Sequence, residues 1–213
     1  VILPEAIPSP FAFLYEKVVA RRRLAAQYKR IASGVVLARG FVVDIGTGPG
    51  HLAIELASRN EALHVLGIDL SAAMIARAKK NAVHIPNAEF RVMNARHLLL
   101  PDNCADLILS TASMHHWRDP ELVFLEIYRV LKPCGRALIY EIRSDAPRHK
   151  MFAEIPRNLL FPARFIVPWA FRLHGVTRNS LDTKILPLIK KTPFHEARLE
   201  TVGMWYCLLL VKK

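Results

Sequence analysis

Tight apolar runs alternate with amphipathic stretches through the middle of this chain, and that alternation leaves few folds open. Strands are predicted at Phe41–Ile45, Leu63–Ile68, Glu89–Met93, Asp106–Ser110 and Arg136–Ile142. Between them, His51–Arg59, Ala72–His84 and Leu122–Leu131 carry apolar residues at three- and four-residue spacing, the period of a helix with one buried face. Ser71 is placed to cap the second of these helices, and Asp119 followed by Pro120 to open the third. Strands joined through helices lie parallel and need cover on both faces. Ala197–Val202 and Trp205–Val211, turned near Gly203, add a closing pair. The expected architecture is α/β: a Rossmann-like, doubly wound, mostly parallel seven-stranded sheet with helices on both faces.

Two segments flank that core. Phe11–Ala32 has helical periodicity and ends near Gly34, predicting an N-terminal helical cap. Between residues 144 and 180, Pro147, Pro156, Pro162 and Pro168 divide the chain into short helical pieces, a helical insertion after the fifth strand. A helix over Leu181–Lys190 then leads into the strand pair. The 213 residues thus read as a single domain: cap 1–34, cofactor-binding core 35–143, insertion or lid 144–180, and C-terminal helix with strand pair 181–213.

Composition narrows the setting. Apolar residues at 52% and charged ones at 23% favour neither a disordered nor a membrane-spanning chain. The longest apolar runs, such as Cys207–Val211, are too short to span a bilayer, which predicts a soluble protein. Val1–Pro10 has three prolines, no basic start and no unbroken apolar stretch, so it does not read as a secretory signal. Cys104, Cys134 and Cys207 are too scattered for a disulfide framework or a zinc site, which suits a reducing cytoplasmic interior. A net charge of +12 invites nucleic acid or an anionic membrane surface, yet the densest runs, Arg21–Arg23 and Lys190–Lys191, also suit solvated helix faces.

The chemistry concentrates after the first strand, where Asp44-Ile-Gly46-Thr47-Gly48-Pro-Gly50-His51 passes from an apolar run into a helix. Glycine permits positive φ and lets the backbone approach a ligand with no Cβ in the way. A helix starting just beyond such a loop offers unpaired N–H groups and a positive dipole end. Gly67-Ile-Asp69-Leu70-Ser71 puts a carboxylate at the tip of the next strand, where dinucleotide sites hold the ribose hydroxyls roughly 20 residues past the loop. The dinucleotide fingerprint wants a further glycine where this chain has His51, so a ligand with a ribose and no pyrophosphate fits better.

These residues resemble the first motif of the class I S-adenosylmethionine (SAM)-dependent methyltransferases. The resemblance continues through Pro101–Ser110, His115-His116-Trp117 and Leu125–Gly135, and is to the branch holding the ubiquinone/menaquinone-type small-molecule enzymes. It covers Phe41–Glu141. It implies that Gly46, Thr47, Gly48 and Gly50 line the methionine part of SAM and that Asp44 fixes the loop and the amino group. It further implies that Asp69 holds the ribose, that Leu70 lies against the adenine, and that Ser110 and Thr111 close the floor near the sulfonium. Asn94 with Ala95 stands where many relatives have an acid and a small residue, so the adenine amine would meet an amide oxygen; a turn cap is the other reading of Asn94. Cys134 replaces the relatives' usual glycine, as a turn variant.

The implied reaction is methyl transfer to a small apolar or aromatic acceptor, leaving S-adenosylhomocysteine, with no metal. The protein's task is alignment and exclusion of water. Where the acceptor must lose a proton, His115 and His116 are the candidate bases; they also suit pocket lining. Tyr15, Tyr28, His115 and Trp117 are candidate substrate or lid residues, with packing the alternative for the aromatics. Arg157–His174, aromatic and basic, suits cover over an apolar substrate or contact with an anionic membrane, with ordinary core packing of an insertion the alternative. An RNA methyltransferase, suggested by the charge, and a noncatalytic SAM-binding or partner-binding subunit are the rival readings.

Overall fold

A computed structural model describes residues 25–147, 149–150, 172, 175–194 and 197–213. In order these are α1 (Ala25–Gly34), β1 (Gly40–Ile45), α2 (His51–Arg59), β2 (Leu63–Asp69), α3 (Ala72–Asn81), β3 (Ala88–Val92), β4 (Ala105–Thr111) and a 3₁₀ turn at Met114–His116. Then follow α4 (Pro120–Val130), β5 (Leu131–Ile142), a composite helical stretch, β6 (Arg198–Val202) and β7 (Trp205–Val211).

The sheet has seven strands in the order β3-β2-β1-β4-β5-β7-β6. β1 through β5 run parallel, and β7 returns antiparallel between β5 and β6. The strand order reverses at β1, which lies between β2 and β4. Open α/β sheets leave a crevice at the carboxyl ends of strands at such a reversal, so the fold itself points to the ends of β1 and β4.

Alternation along the strands sorts the core into two layers. Val42, Val65, Leu107 and Leu109 pack against α1, α2 and α3 through Ile31, Leu52, Leu56, Ile75 and Ala78. Val43, Ile45, Leu66, Ile68, Ile108 and Ile139 pack against Val123, Phe124, Ile127 and Val130 of α4. Each such fully buried side chain contributes about 1.5–3 kcal/mol of burial free energy.

Several predicted boundaries shift for local reasons. Ser71 caps α3 as expected, its hydroxyl accepting from Met74 N. Asp119 opens α4 before Pro120, but makes no cap bond; its carboxylate accepts instead from Arg96, at 2.9 Å. α3 stops at Asn81, short of the predicted His84. β5 starts at Leu131 instead of Arg136, because Leu131 already pairs with Ala105 before a register shift. Cys134 lies in that shifted stretch with φ 63°, the conformation glycine favours. The predicted helix over Leu181–Lys190 is a π-type stretch, Leu181–Ile185, leading into Leu186–Lys190. Pro187 has no N–H to give the preceding turn, which loosens the ladder there. The greater part of the predicted cap helix, with Tyr15, and nearly all of Arg157–His174 lie outside the described residues.

Among the described residues no helix is long and apolar enough to cross a membrane, and no cluster of three or more His, Cys, Asp or Glu could hold a metal ion.

Candidate functional site

The loop after β1 is shaped by close neighbours. Gly46, Gly48 and Gly50 all have positive φ, at 70°, 54° and 83°. Their missing Cβ atoms face different things. At Gly50 a Cβ would meet the Phe90 ring and the Ala78 methyl, so this glycine lets β3 and α3 pack under the loop. At Gly48 a Cβ would meet nothing within 4 Å among the described residues, which leaves the backbone there open to a ligand.

Two carboxylates hold this loop. Asp44, 2% exposed, accepts from the Thr47 hydroxyl at 2.7 Å. Burial pushes its pKa up to about 7, the Thr47 bond pulls it down in part, and the nearby Asp69 charge raises it further. Asp69, at the tip of β2, accepts from Gly48 N at 2.9 Å and from Ser71 N at 2.8 Å, one bond to each oxygen. Its pKa is also raised, by burial, against the lowering of those two N–H groups. One buried acid and one part-buried acid, with no cation beside them among the described residues, form an electronegative cradle at the mouth of β1 and β2.

The other predicted cofactor residues occupy three places. Leu70 is 38% exposed just past β2. Asn94 caps a turn, its side-chain oxygen accepting from Arg96 N at 3.0 Å, and Ala95 packs against the core. That turn opens the long β3–β4 connection, which Arg129 of α4 pins by bonds to Leu98 O, Leu100 O and Asp102. Ser110 and Thr111 end β4, and the hydroxyl of each is buried without a partner among the described residues. Leaving such groups unsatisfied costs about 1–3 kcal/mol each, which marks the place as one built for something else to fill.

Beyond Thr111 the chain turns sharply. Ala112 takes φ 51°, its N–H donating to Tyr140 O at 2.8 Å. This strained conformation sends Ser113 back over Gly46, where a Cβ on Gly46 would run into the Ser113 side chain. The 3₁₀ turn follows and brings His115 to Glu141. Glu141 is 1% exposed and accepts twice, from Met114 N at 2.6 Å and with its other oxygen against His115 Nδ1 at 2.8 Å. Burial pulls the His115 pKa down, but the charge of Glu141 and its hydrogen bond more than reverse this, so the ring titrates above its ordinary 6.5. The His116 ring lies 4.2 Å from that of His115. Trp117 packs on the core, edge-on to Phe124 at 5.8 Å, with its indole N–H donating to Ser113 Oγ at 3.3 Å. Tyr28 on α1 packs against the core 6.1 Å from the His51 ring.

The fold therefore brings the β1 loop, the β2 acid and the turn after β4 to one end of the sheet. Sequence reasoning missed Glu141 and Ser113. The signal for Glu141 was present: it shares a strand face with Ala137 and Ile139, where alternation calls for an apolar residue. Ser113 carried none, because its placement depends on the αL turn at Ala112.

Comparison with known proteins adds three findings. Residues 43–139 match the family described as a methyltransferase domain. An arsenite methyltransferase of Halobacterium salinarum is 32% identical over 111 residues, 50% of this chain and 28% of that protein. A demethylmenaquinone methyltransferase of Thermus thermophilus is 33% identical over 102 residues, 47% of this chain and 46% of that protein. The chain thus spans about half or less of the length of the curated relatives it matches. A structure from Methanococcus maripaludis, described as an S-adenosyl-L-methionine-dependent methyltransferase, shares the fold with a TM-score of 0.79 at 22% identity, covering 96% of this chain and 93% of its own.

Proposed function

We propose, from the match of residues 43–139 to the methyltransferase-domain family and the fold shared with an S-adenosyl-L-methionine-dependent methyltransferase, that this chain transfers a methyl group from SAM to a small apolar or aromatic molecule. The observation that carries the reading is the pair Asp44 and Asp69 beside the open face of Gly48.

The residues present fit the cofactor. Asp44 is buried with a hydroxyl as its hydrogen-bond partner, so an ammonium group is the ligand that would relieve its desolvation. Asp69 keeps lone pairs beyond its two backbone bonds, which suits ribose hydroxyls. Leu70, Asn94 and Ala95 form the proposed adenine side. The Asn94 oxygen already serves Arg96 N, so any further bond there is a shared one. Thr111 and Ser110, with their unpartnered hydroxyls, are the proposed floor near the sulfonium. SAM, when bound, supplies a methyl group on a positively charged sulfur, open to in-line attack. What the chain contributes is orientation and a dry crevice, and alignment alone can be worth roughly 7–11 kcal/mol of barrier.

The two relatives named above differ in the acceptors their names give, arsenite and demethylmenaquinone, so family membership leaves the acceptor open. An apolar or aromatic one is favoured by the aromatics around the turn after β4 and on α1, Trp117 and Tyr28.

Titration calorimetry with SAM tests the cofactor half. Micromolar binding that Asp69→Ala weakens is expected; no heat from either protein would sink the reading. Release of S-adenosylhomocysteine in the presence of candidate acceptors tests the transfer, and no turnover with any acceptor would leave the noncatalytic alternative standing.

A further inference from the structure

His115 and Glu141 form a pair that cofactor binding does not explain. Glu141 lies on the face of β5 that carries Ile139, and Ile139 is the register partner of Ser110. The pair therefore sits on the α4 side of the sheet, the face opposite Asp44. Glu141 is shut off from water, and both its oxygens are engaged, one by the backbone N–H of Met114 and one by His115 Nδ1. Burying a carboxylate costs several kcal/mol unless charge or hydrogen bonds compensate, so a packing role alone would be met better by an aliphatic residue. The bond to Met114 N fixes the carboxylate to the very turn that carries His115. The bond to Nδ1 then fixes the ring's tautomer and leaves Nε2 as the nitrogen for a ligand.

We propose that Glu141 is a positioning residue for His115, and that His115 Nε2 is the catalytic base for an acceptor that is methylated on a hydroxyl oxygen. This rests on the methyltransferase reading above and narrows its substrate class. An acceptor that arrives with a free lone pair and no proton to lose, such as a thioether, needs no such base. A phenol, enol or alcohol does. The oxygen's electron pair forms the new bond to the methyl carbon, the carbon–sulfur bond breaks with its electrons on sulfur, and the hydroxyl proton passes to Nε2. The imidazolium that results is held by the Glu141 carboxylate and returns its proton to solvent before the next turnover. Among the described residues the titratable groups against the ring are Glu141 from β5 and His116 from the same turn. The raised pKa of His115 strengthens it as a proton acceptor, at the expense of the neutral fraction at low pH.

The experiment is an NMR titration of the histidine rings in the ligand-free protein, for wild type, Glu141→Gln and His115→Gln. The glutamine keeps an acceptor for Met114 N and removes the charge. The His115 resonance, assigned by its loss in His115→Gln, is expected to titrate above 6.5 in wild type, and about one unit or more lower in Glu141→Gln. Wild-type titration at or below the ordinary value, or an identical midpoint in both proteins, overturns the pairing; the wild-type measurement stands even where a variant does not fold. With a hydroxyl acceptor that turns over, His115→Gln is expected to lower kcat about 10²- to 10⁴-fold with little change in KM for SAM. Glu141→Gln should move the acid limb of the pH–rate profile to lower pH and lower its plateau. Full activity of His115→Gln on such an acceptor overturns the base. Failure of wild type to bind SAM would instead strike the proposed function, and leave the titration result intact.

Discussion

Asp44 and Glu141 are buried to nearly the same degree, at 2% and 1% exposure, near the carboxyl ends of parallel strands in one sheet. Their partners differ. Glu141 has a backbone N–H and an imidazole that can carry positive charge, so its site is internally complete. Asp44 has a hydroxyl and a second carboxylate nearby, and burial drives its pKa to about 7. A buried acid that already holds its cation arranges the protein's own groups; one without a cation is set for a charge arriving from outside. On this reading the β1–β2 side of the crevice is a receptor and the β4–β5 side a tool.

The largest effect that could break this contrast is on stability. Asp44 has an ordinary pKa of 3.8 and a folded value of about 7. Between those values the folded state holds more protons than the unfolded one, so stability is fully present below pH 3.8 and is lost as pH rises through 7. The loss is on the order of 4 kcal/mol. Asp44→Asn keeps an acceptor for Thr47 and removes this penalty. Urea denaturation should find the variant more stable by a few kcal/mol at pH 8, with the gain vanishing towards pH 4, while SAM binds more weakly. Equal stability at every pH would mean that Asp44 is not stressed. Next in size, Asp69→Ala should weaken SAM about 10- to 100-fold in calorimetry, the worth of hydrogen bonds to a charged group.

The pH dependence of His115 has the same formal sign as that of Asp44, but is of smaller extent. Its folded pKa is raised, so its pairing energy is fully present below pH 6.5 and is lost as pH rises through the folded value. Glu141→Gln should therefore destabilise the protein more at pH 6 than at pH 9 in denaturant titrations. Smaller again, and away from both acids, Cys134→Gly is a control. Cys134 is exposed, with φ 63° in the shifted stretch of β5 before Arg136, and glycine there should raise stability by about 1 kcal/mol without changing SAM affinity. A change in affinity would show that the two ends of the sheet are coupled.

The geometry of the β1 loop and the β2 acid was legible in the chain itself, because its determinants are local. Three glycines, the strand end before them and an acid at the next strand tip lie within 26 residues, Asp44 to Asp69. The α2 bounds fall where the periodicity puts them. The tool side was legible in half. His115 stood out by residue type; its partner lies 26 positions further on, and only the strand register brings the two together. Asn94 shows the limit from the other direction: its type suited a ligand contact and a turn cap alike, and only the structure shows its oxygen bonded to the backbone of Arg96. The π-type turn at Leu181–Ile185 was likewise hidden, since apolar spacing does not distinguish a widened helix from a regular one.

The chain leaves the sheet after Ile142 and comes back to the same spot. Ser144 N donates to Val176 O and Val176 N to Ile142 O, while Asp145 accepts from Arg178 N and from the hydroxyl of Tyr206. The exit and the return of this connection are thus stapled side by side. Doubling a loop's length costs only about 0.6 kcal/mol in closure entropy. Because exit and return lie side by side, a change in the length of the connection between them costs the framework little in closure entropy.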